Sequence, residues 1–213
     1  MVKRSKPQLP AQLEVGKDVQ FWPEASLQGA HFLGADISGL AAQNVSVDEC
    51  SLEKVHAVQA KMEKAQFTDT LLKKVDFSGA RCSEGSFIRI EASNSRFAGW
   101  DISKGVIKDA LFADCKLDMA NFRFAKLTRV KFVGCSFFEA DFQAAELRQV
   151  EFSDCILEKT EFANCTLKDV DLRTSQLLDI GGWTSLTHAK VDMAQLVAIA
   201  PQLAMALGLV VEE

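Results

Sequence analysis

The sequence predicts an all-β solenoid, in which short extended segments coil around a central core. Every fifth residue from Leu27 to Leu177 is apolar, over 31 positions without an insertion or a deletion. The residue two places earlier is mostly small, usually Ala, Val or Cys, and the remaining positions are mostly polar. A period of five fits neither an α-helix nor a long strand. It fits a chain that makes a short strand, turns a corner and repeats.

The amino-acid composition indicates a core that is rich in aromatic side chains and free of polar groups. The chain has 15 Phe and no Tyr, and 12 of the Phe occupy the large position of the repeat. A Tyr hydroxyl inside the coil would lack a partner, at a cost of a few kcal/mol. Proline is absent between residues 24 and 200, as expected where each backbone N–H must pair with the next coil.

The repeat units resemble those of a known family. Residues 140–144 (ADFQA) and 120–124 (ANFRF) are similar to the A-(D/N)-L-x-x unit of pentapeptide-repeat proteins. The resemblance covers about residues 25 to 179. It implies a right-handed quadrilateral parallel β-helix with four pentapeptides per coil, hence about eight coils, in which residues 20 apart are stacked.

Three regions are predicted. Residues 1–24, which contain Phe21 and Trp22, form an N-terminal lid, and residues 25–180 form the β-helix. Residues 181–213 form a C-terminal helical cap that is also a candidate dimerisation module, because solenoid ends need covering. Asp192 is the expected N-cap of the helix and Gly208 its stop, with Pro201 splitting or kinking it.

The C-terminal segment is apolar on nearly all sides, so more than one side should be buried. One side is expected to cover the last coil. The other is either a homodimer contact, as the family resemblance implies, or packs within a monomer. The candidate cap and dimer residues are Trp183, Leu196, Ile199, Leu203 and Leu207.

One coil breaks the volume rule. Trp100 occupies a position that is otherwise small. We expect it to point inward, with Gly85 and Ala92 making room for it. The alternative is a distorted coil with Trp100 turned outward.

No catalytic, cofactor or metal site is predicted. His31, His56 and His188 lack the spacing of metal ligands or of a catalytic base and its nucleophile. All six cysteines occupy inward positions, where core packing is the better interpretation; of these, Cys115, Cys135 and Cys155 are 20 apart and should form one column. Neighbouring thiols would be close enough for a disulfide. The sequence has no signal peptide or membrane span, which predicts a cytoplasmic protein with free thiols. It has no Gly-rich phosphate loop and no nucleophile elbow, so no small-molecule substrate is expected.

The charge map separates the hypotheses on function. The quinolone-resistance (Qnr and MfpA) group of the family implies a DNA mimic that binds a type II topoisomerase, such as DNA gyrase or topoisomerase IV. Residues 25–53 carry four acidic and no basic residues, residues 54–131 carry nine and 15, and residues 132–171 carry nine and three. A rod that is acidic, then basic, then acidic is a poor copy of a phosphate backbone, which disfavours DNA mimicry along the full length. The alternative is a partial mimic, in which only the acidic C-terminal coils and a dimer about the C-terminus contact a topoisomerase.

We therefore predict a protein-interaction scaffold with an unknown partner. Outward apolar residues form the candidate surface: Met119, Phe138 and Ile156 on one face and Phe124 at the next corner. The competing interpretation is that scattered exposed apolar residues are normal. Nucleic-acid binding by the basic middle is the weakest hypothesis, because no aromatic residues for base stacking accompany Lys61, Lys64, Arg81, Lys104 and Arg123.

Overall fold

The computed structural model describes residues 2–16 and 22–209, so Phe21 of the predicted lid lies outside the described residues. This part of the chain forms a parallel β-solenoid of about eight coils followed by one C-terminal helix. The strands are β1 Glu14–Val15, β2 Ser26–Gln28, β3 Ala30–Leu33, β4 Ser46–Asp48, β5 Ser51–Glu53, β6 Gln66–Lys73, β7 Ser86–Ser93, β8 Val106–Ala113, β9 Lys126–Val133, β10 Glu146–Ser153, β11 Ile156–Glu158, β12 Thr166–Asp171 and β13 Gln176–Leu178. A 3-10 helix covers Trp183–Ser185, and helix α1 covers Met193–Ala206.

The strands stack with a register of 20 residues. Phe67 of β6 pairs with Phe87 of β7, which pairs in turn with Ile107 of β8. The two remaining faces are held mainly by single bridges with the same spacing, such as Asp76 to Arg96. Four pentapeptides per coil are thereby confirmed.

The corners of the coils are made by residues with positive φ. They recur every five residues, two places after each large inward residue, as at Gln59 (φ 56°) and Asp69 (φ 48°). After Ala57 the corner is a turn in which the N–H of Ala60 donates to the Ala57 carbonyl at 3.2 Å, as in a type II turn. At Asp69 strand β6 continues through the corner instead.

The core follows the predicted periodicity. Of the 31 large positions only Leu27 and Leu167 are half-buried, and all the others are buried. Like residues stack along the rod: the Phe142 ring lies 4.4 Å from Phe122 and 5.1 Å from Phe162, between centroids and nearly parallel. These ladders are the main apolar contact between successive coils.

Trp100 lies inside its coil. Its side chain is fully buried, and its ring centroid is 5.0 Å from that of Phe87 and 5.2 Å from that of Phe97. A Cβ on Gly85 would lie 2.6 Å from the Cys82 carbonyl oxygen and 3.0 Å from that of Ala65, so backbone atoms crowd this position. That Gly85 and Ala92 make room for the indole stays a prediction.

The C-terminal helix is capped as its sequence predicts. The Asp192 carboxylate accepts the N–H of Gln195 at 2.8 Å, and the Gln195 side chain accepts the N–H of Asp192 at 2.8 Å. Gly208 ends the helix with φ 71°. Pro201 lies within a single helix, so the run is not split into two. The Gln195 amide donates to the carbonyls of Leu172 and Ser175 at 2.7 and 2.6 Å, which fixes α1 across the last coil.

The N-terminal segment has two parts. Strand β1 adds to the first coil by pairing with β3. Residues 2–10, which we call the N-terminal arm, run along the outside of the rod, where the N–H of Val2 donates to Glu151 at 3.2 Å. The division of the chain into lid, rod and cap stays a prediction.

Candidate interaction surfaces

The four predicted apolar surface residues, which we call the apolar patch, lie outside the core. Met119 is 58% exposed, Phe124 53% and Ile156 40%, and Phe138 is half-buried. The N–H of Met119 donates to the Phe138 carbonyl at 2.7 Å, so these two residues lie on adjacent coils. Ile156 lies on the next coil, where it is bridged to Ser136. Phe124 occupies the following corner, with φ 60°.

Cations lie over the aromatic rings of the apolar patch. The Lys159 Nζ is 5.2 Å from the Phe138 ring centroid, and the Arg123 guanidinium carbon is 6.0 Å from that of Phe124. A cation over an aromatic ring at this range is attracted by the ring quadrupole. The patch therefore offers flat apolar side chains bordered by positive charge.

Helix α1 has one face on the rod and one face outside. Ile199 is buried, while Trp183 and Leu203 are half-buried against the core. Leu196 and Leu207 are 42% and 69% exposed. An open groove of mainly apolar side chains runs along the outer face, lined by Val197, Ala200, Pro201, Ala204, Met205 and Leu209.

Many of the basic residues in the middle coils are paired with acids one coil away. Arg123 contacts Asp141 at 3.1 Å, and Lys131 contacts Glu151 at 2.7 Å. The Lys64–Glu84 and Lys126–Glu146 pairs are longer, at 3.9 and 3.3 Å. Because these charges are neutralised within the rod, the middle coils present less free positive charge than the sequence count suggests.

One corner of the rod carries acids and bases in alternation, a feature that the sequence analysis missed. Asp69, Arg89, Asp109 and Arg129, spaced by 20 residues, form what we call the Asp–Arg column. Arg89 contacts both carboxylate oxygens of Asp69, at 2.7 and 2.5 Å, and Arg129 does the same to Asp109, at 2.7 Å each. The alternation of charge every 20 residues was visible in the sequence and could have identified the column.

The N-terminal arm lies against this column. The Gln8 N–H donates to Asp69 at 2.9 Å, and the Ser5 N–H donates to Asp109 at 3.1 Å. Arg4 reaches Glu91 at 2.5 Å. The Arg89 side chain and, less strongly, the Gln8 N–H hold the pKa of Asp69 below its ordinary value, and Arg129 and the Ser5 N–H do the same for the pKa of Asp109.

The six cysteines are free thiols at the predicted inward positions. All are buried except Cys165, which is half-buried. Burial raises the pKa of Cys82 to about 12 and that of Cys165 to about 11, which suppresses thiolate chemistry at both sites. Across residues 2–16 and 22–209, no three His, Cys, Asp or Glu side chains converge as metal ligands would. Nor does this part of the chain contain a helix with the length and hydropathy of a membrane-spanning segment.

Two of the comparisons with known proteins found matches. Residues 106–180 match the family described as "Pentapeptide repeat region". A trypsin-treated variant of QnrB1, a plasmid-mediated fluoroquinolone resistance protein, aligns with a TM-score of 0.56 and 20% identity over 96% of this chain and 100% of that chain. HetL, a pentapeptide repeat protein of Nostoc sp. strain PCC 7120 involved in heterocyst differentiation regulation, aligns with a TM-score of 0.34 and 14% identity over 79% of this chain and 87% of that chain. No curated protein matches the sequence. The likeness to the QnrB1 variant shows a shared fold.

Proposed function

Since this chain is a pentapeptide-repeat protein, we propose that it is a non-enzymatic interaction scaffold that binds a protein partner through the surface of its rod. The observation that carries this proposal is the apolar patch, in which Met119 and Phe124 are more than half exposed on a rigid framework. Aromatic side chains with low conformational freedom are typical anchors of protein interfaces. Exposed apolar area of this kind is a cost in water unless a partner covers it.

The proposal is tested by partner capture from the native host with matched surface variants. Met119→Ser combined with Phe124→Ser removes two exposed anchors of the apolar patch. Leu33→Ser combined with Leu40→Ser removes two exposed apolar side chains, 62% and 41% exposed, from the coils nearest the N-terminus, away from the patch. We expect the first pair to lose a specific partner that the unmodified chain and the second pair retain. Equal capture by all three proteins would refute a role for the patch.

We further propose that the chain forms a homodimer through helix α1. Val197 and Met205, 70% and 75% exposed, project from its outer face beside the apolar groove. Two copies that pack these faces together would bury side chains that otherwise contact water, with each copy contributing the same face. The charge on this face is low, since helix α1, Met193–Ala206, contains no Asp, Glu, Lys or Arg.

Light-scattering mass measurement tests the dimer. The unmodified chain is expected at twice the mass of one copy, and Val197→Glu combined with Met205→Glu at the mass of one. Leu33→Glu, at the opposite end of the rod, is the control that should stay dimeric. A monomeric mass for the unmodified chain would contradict the proposal.

Binding to a type II topoisomerase is a second candidate function. It is favoured by the adjacency of the acidic coils, residues 132–171, to the exposed face of helix α1, which together would extend across a dimer. The basic residues of the middle coils weigh against DNA mimicry along the whole rod. A supercoiling assay with purified gyrase separates the candidates, because a topoisomerase ligand would inhibit supercoiling or protect the enzyme from quinolones.

A further inference from the structure

The N-terminal arm contacts the rod with a regular step. Its N–H groups at Gln8, Ser5 and Val2, three residues apart, donate to carboxylates of Asp69, Asp109 and Glu151. Asp69 and Asp109 are 40 residues and therefore two coils apart, which is roughly 9.6 Å for parallel strands. Glu151 is 42 residues beyond Asp109, two coils further on and just past the corner at Gln149. Three residues of polyproline II chain advance about 9.3 Å. The two repeats therefore match, and each third residue of the arm meets a new carboxylate.

The prolines of the arm fit the same step. Pro7 and Pro10 are three residues apart, and neither falls in the phase of the donating residues 2, 5 and 8, so the missing proline N–H costs no contact. Arg4, in the same phase as the prolines, places its side chain on Glu91 and is only 12% exposed. The N–H donors at residues 2, 5 and 8 and the series Arg4, Pro7 and Pro10 thus occupy different phases of the three-residue step.

The carboxylates of Asp69 and Asp109 are already oriented to accept hydrogen bonds from a ligand. The side chains of Asp69 and Asp109 are 9% and 6% exposed, and each is fixed by two bonds from an arginine of the next coil. Each still accepts one backbone N–H from the arm. A carboxylate can accept about four hydrogen bonds, so the arginine leaves room for the arm. Ionised acceptors that are already oriented give the stronger class of hydrogen bond.

Recognition depends little on the identity of most arm side chains. Lys3, Ser5, Lys6 and Gln8 are exposed, so at these four positions the rod contacts mainly backbone, whereas Val2, Arg4, Pro7 and Leu9 are half-buried. The features that matter are an extended chain, an N–H at every third residue, positive charge, and no need for the intervening N–H groups. Another protein segment with these features would make the same contacts.

We propose that this edge of the rod, formed by the Asp–Arg column with Glu91 and Glu151, is a binding site for an extended, basic, proline-containing segment of a partner protein. The N-terminal arm occupies the site in cis and competes with the partner. The inference rests on the proposed scaffold function, to which it adds a second surface and the chemistry of the ligand. It is independent of the apolar patch.

The test uses the full chain with its arm weakened. Ser5→Pro combined with Gln8→Pro removes the two N–H donors to Asp109 and Asp69 and leaves the rod unchanged. A peptide of residues 2–10, labelled through an amide on the Val2 nitrogen, serves as the probe in fluorescence anisotropy. We expect it to bind this double variant at least about tenfold more tightly than it binds the unmodified chain, in which the arm blocks the site.

Matched probes separate specific recognition from charge attraction. One peptide is N-methylated at Ser5 and Gln8, and the other at Lys6 and Leu9, so that both have the same charge and the same number of methyl groups. The first is expected to lose at least about tenfold in affinity, and the second to bind nearly as well as the unmethylated peptide. Equal affinity of the two methylated peptides, or failure of the probe to bind the double variant, overturns the proposal.

A measurement on the unmodified chain keeps the proposal testable if the double variant fails to fold. Amide hydrogen exchange of Ser5 and Gln8 should be slower than that of Lys6 and Leu9 under native conditions. Uniformly fast exchange along the arm would refute the docked arrangement. Either failure would leave the capture experiment on the apolar patch unaffected, so the two proposals fail separately.

Discussion

Replacing Phe142 by alanine is expected to destabilise the rod strongly. Its ring is fully buried and lies between Phe122 and Phe162, with Phe137 and Phe152 at 5.8 and 6.1 Å between centroids. Removing a buried Phe side chain costs about 3–5 kcal/mol through lost burial and the cavity that remains. For a chain of this size the melting temperature should fall by roughly 6–20 °C.

Phe124 supplies the matched control, because it is a phenylalanine on the same rod that is 53% exposed. Phe124→Ala should change the free energy of unfolding by less than about 1 kcal/mol. Chemical denaturation followed by circular dichroism measures both variants. If Phe142→Ala unfolds at the same denaturant concentration as Phe124→Ala, then the stacked ladder does not stabilise the coils and the reasoning fails.

Three further outcomes are expected. The free energy of unfolding should fall as pH drops below about 4. The pKa of Asp109 is lower in the folded chain than in the unfolded chain, so its stabilising contribution is complete above the unfolded pKa and is lost as the carboxylate protonates. Asp109→Asn should flatten this dependence in thermal melts recorded across acidic pH. Gly182→Ala should destabilise the last coil by about 1–3 kcal/mol, because a Cβ at this residue, at φ 74°, would overlap the backbone of Ala163. Gly208→Ala, at φ 71° with open space around it, should cost less in the same denaturation assay. Cys82 should resist alkylation in the native chain at mildly alkaline pH and react after denaturation, as mass spectrometry of the modified peptides can show, because burial raises its pKa to about 12.

The interior was predictable from the sequence because a period of five leaves little freedom. Once Leu27 starts the phase, each large position must point inward, and Trp100 at a small position must either fit or break the coil. It fits, with four Phe rings around it. The capping of helix α1 by Asp192 was also predictable, since that signal is local.

The N-terminal arm was not predictable by the same reasoning. Its residues have no repeat, and its contacts with Asp69 and Glu151 join positions 61 and 149 residues apart in sequence. Such contacts depend on where the rod places its carboxylates, which only the assembled coils determine. The contact partner of the exposed half of helix α1 could not be predicted either, because an apolar composition indicates that a side should be buried but not which surface covers it.

The positions of the arm's contacts affect how the rod comes apart. A solenoid is held together by contacts between adjacent coils, so it can unravel from either end one coil at a time. The arm joins Asp69, Asp109 and Glu151, which lie on coils that do not touch one another. Loss of the coil that carries Glu151 therefore also loosens a restraint on the coils towards the other end. In this molecule, local unfolding at the C-terminal end of the rod and the stability of its middle coils are linked through an extended segment that lies outside the coils.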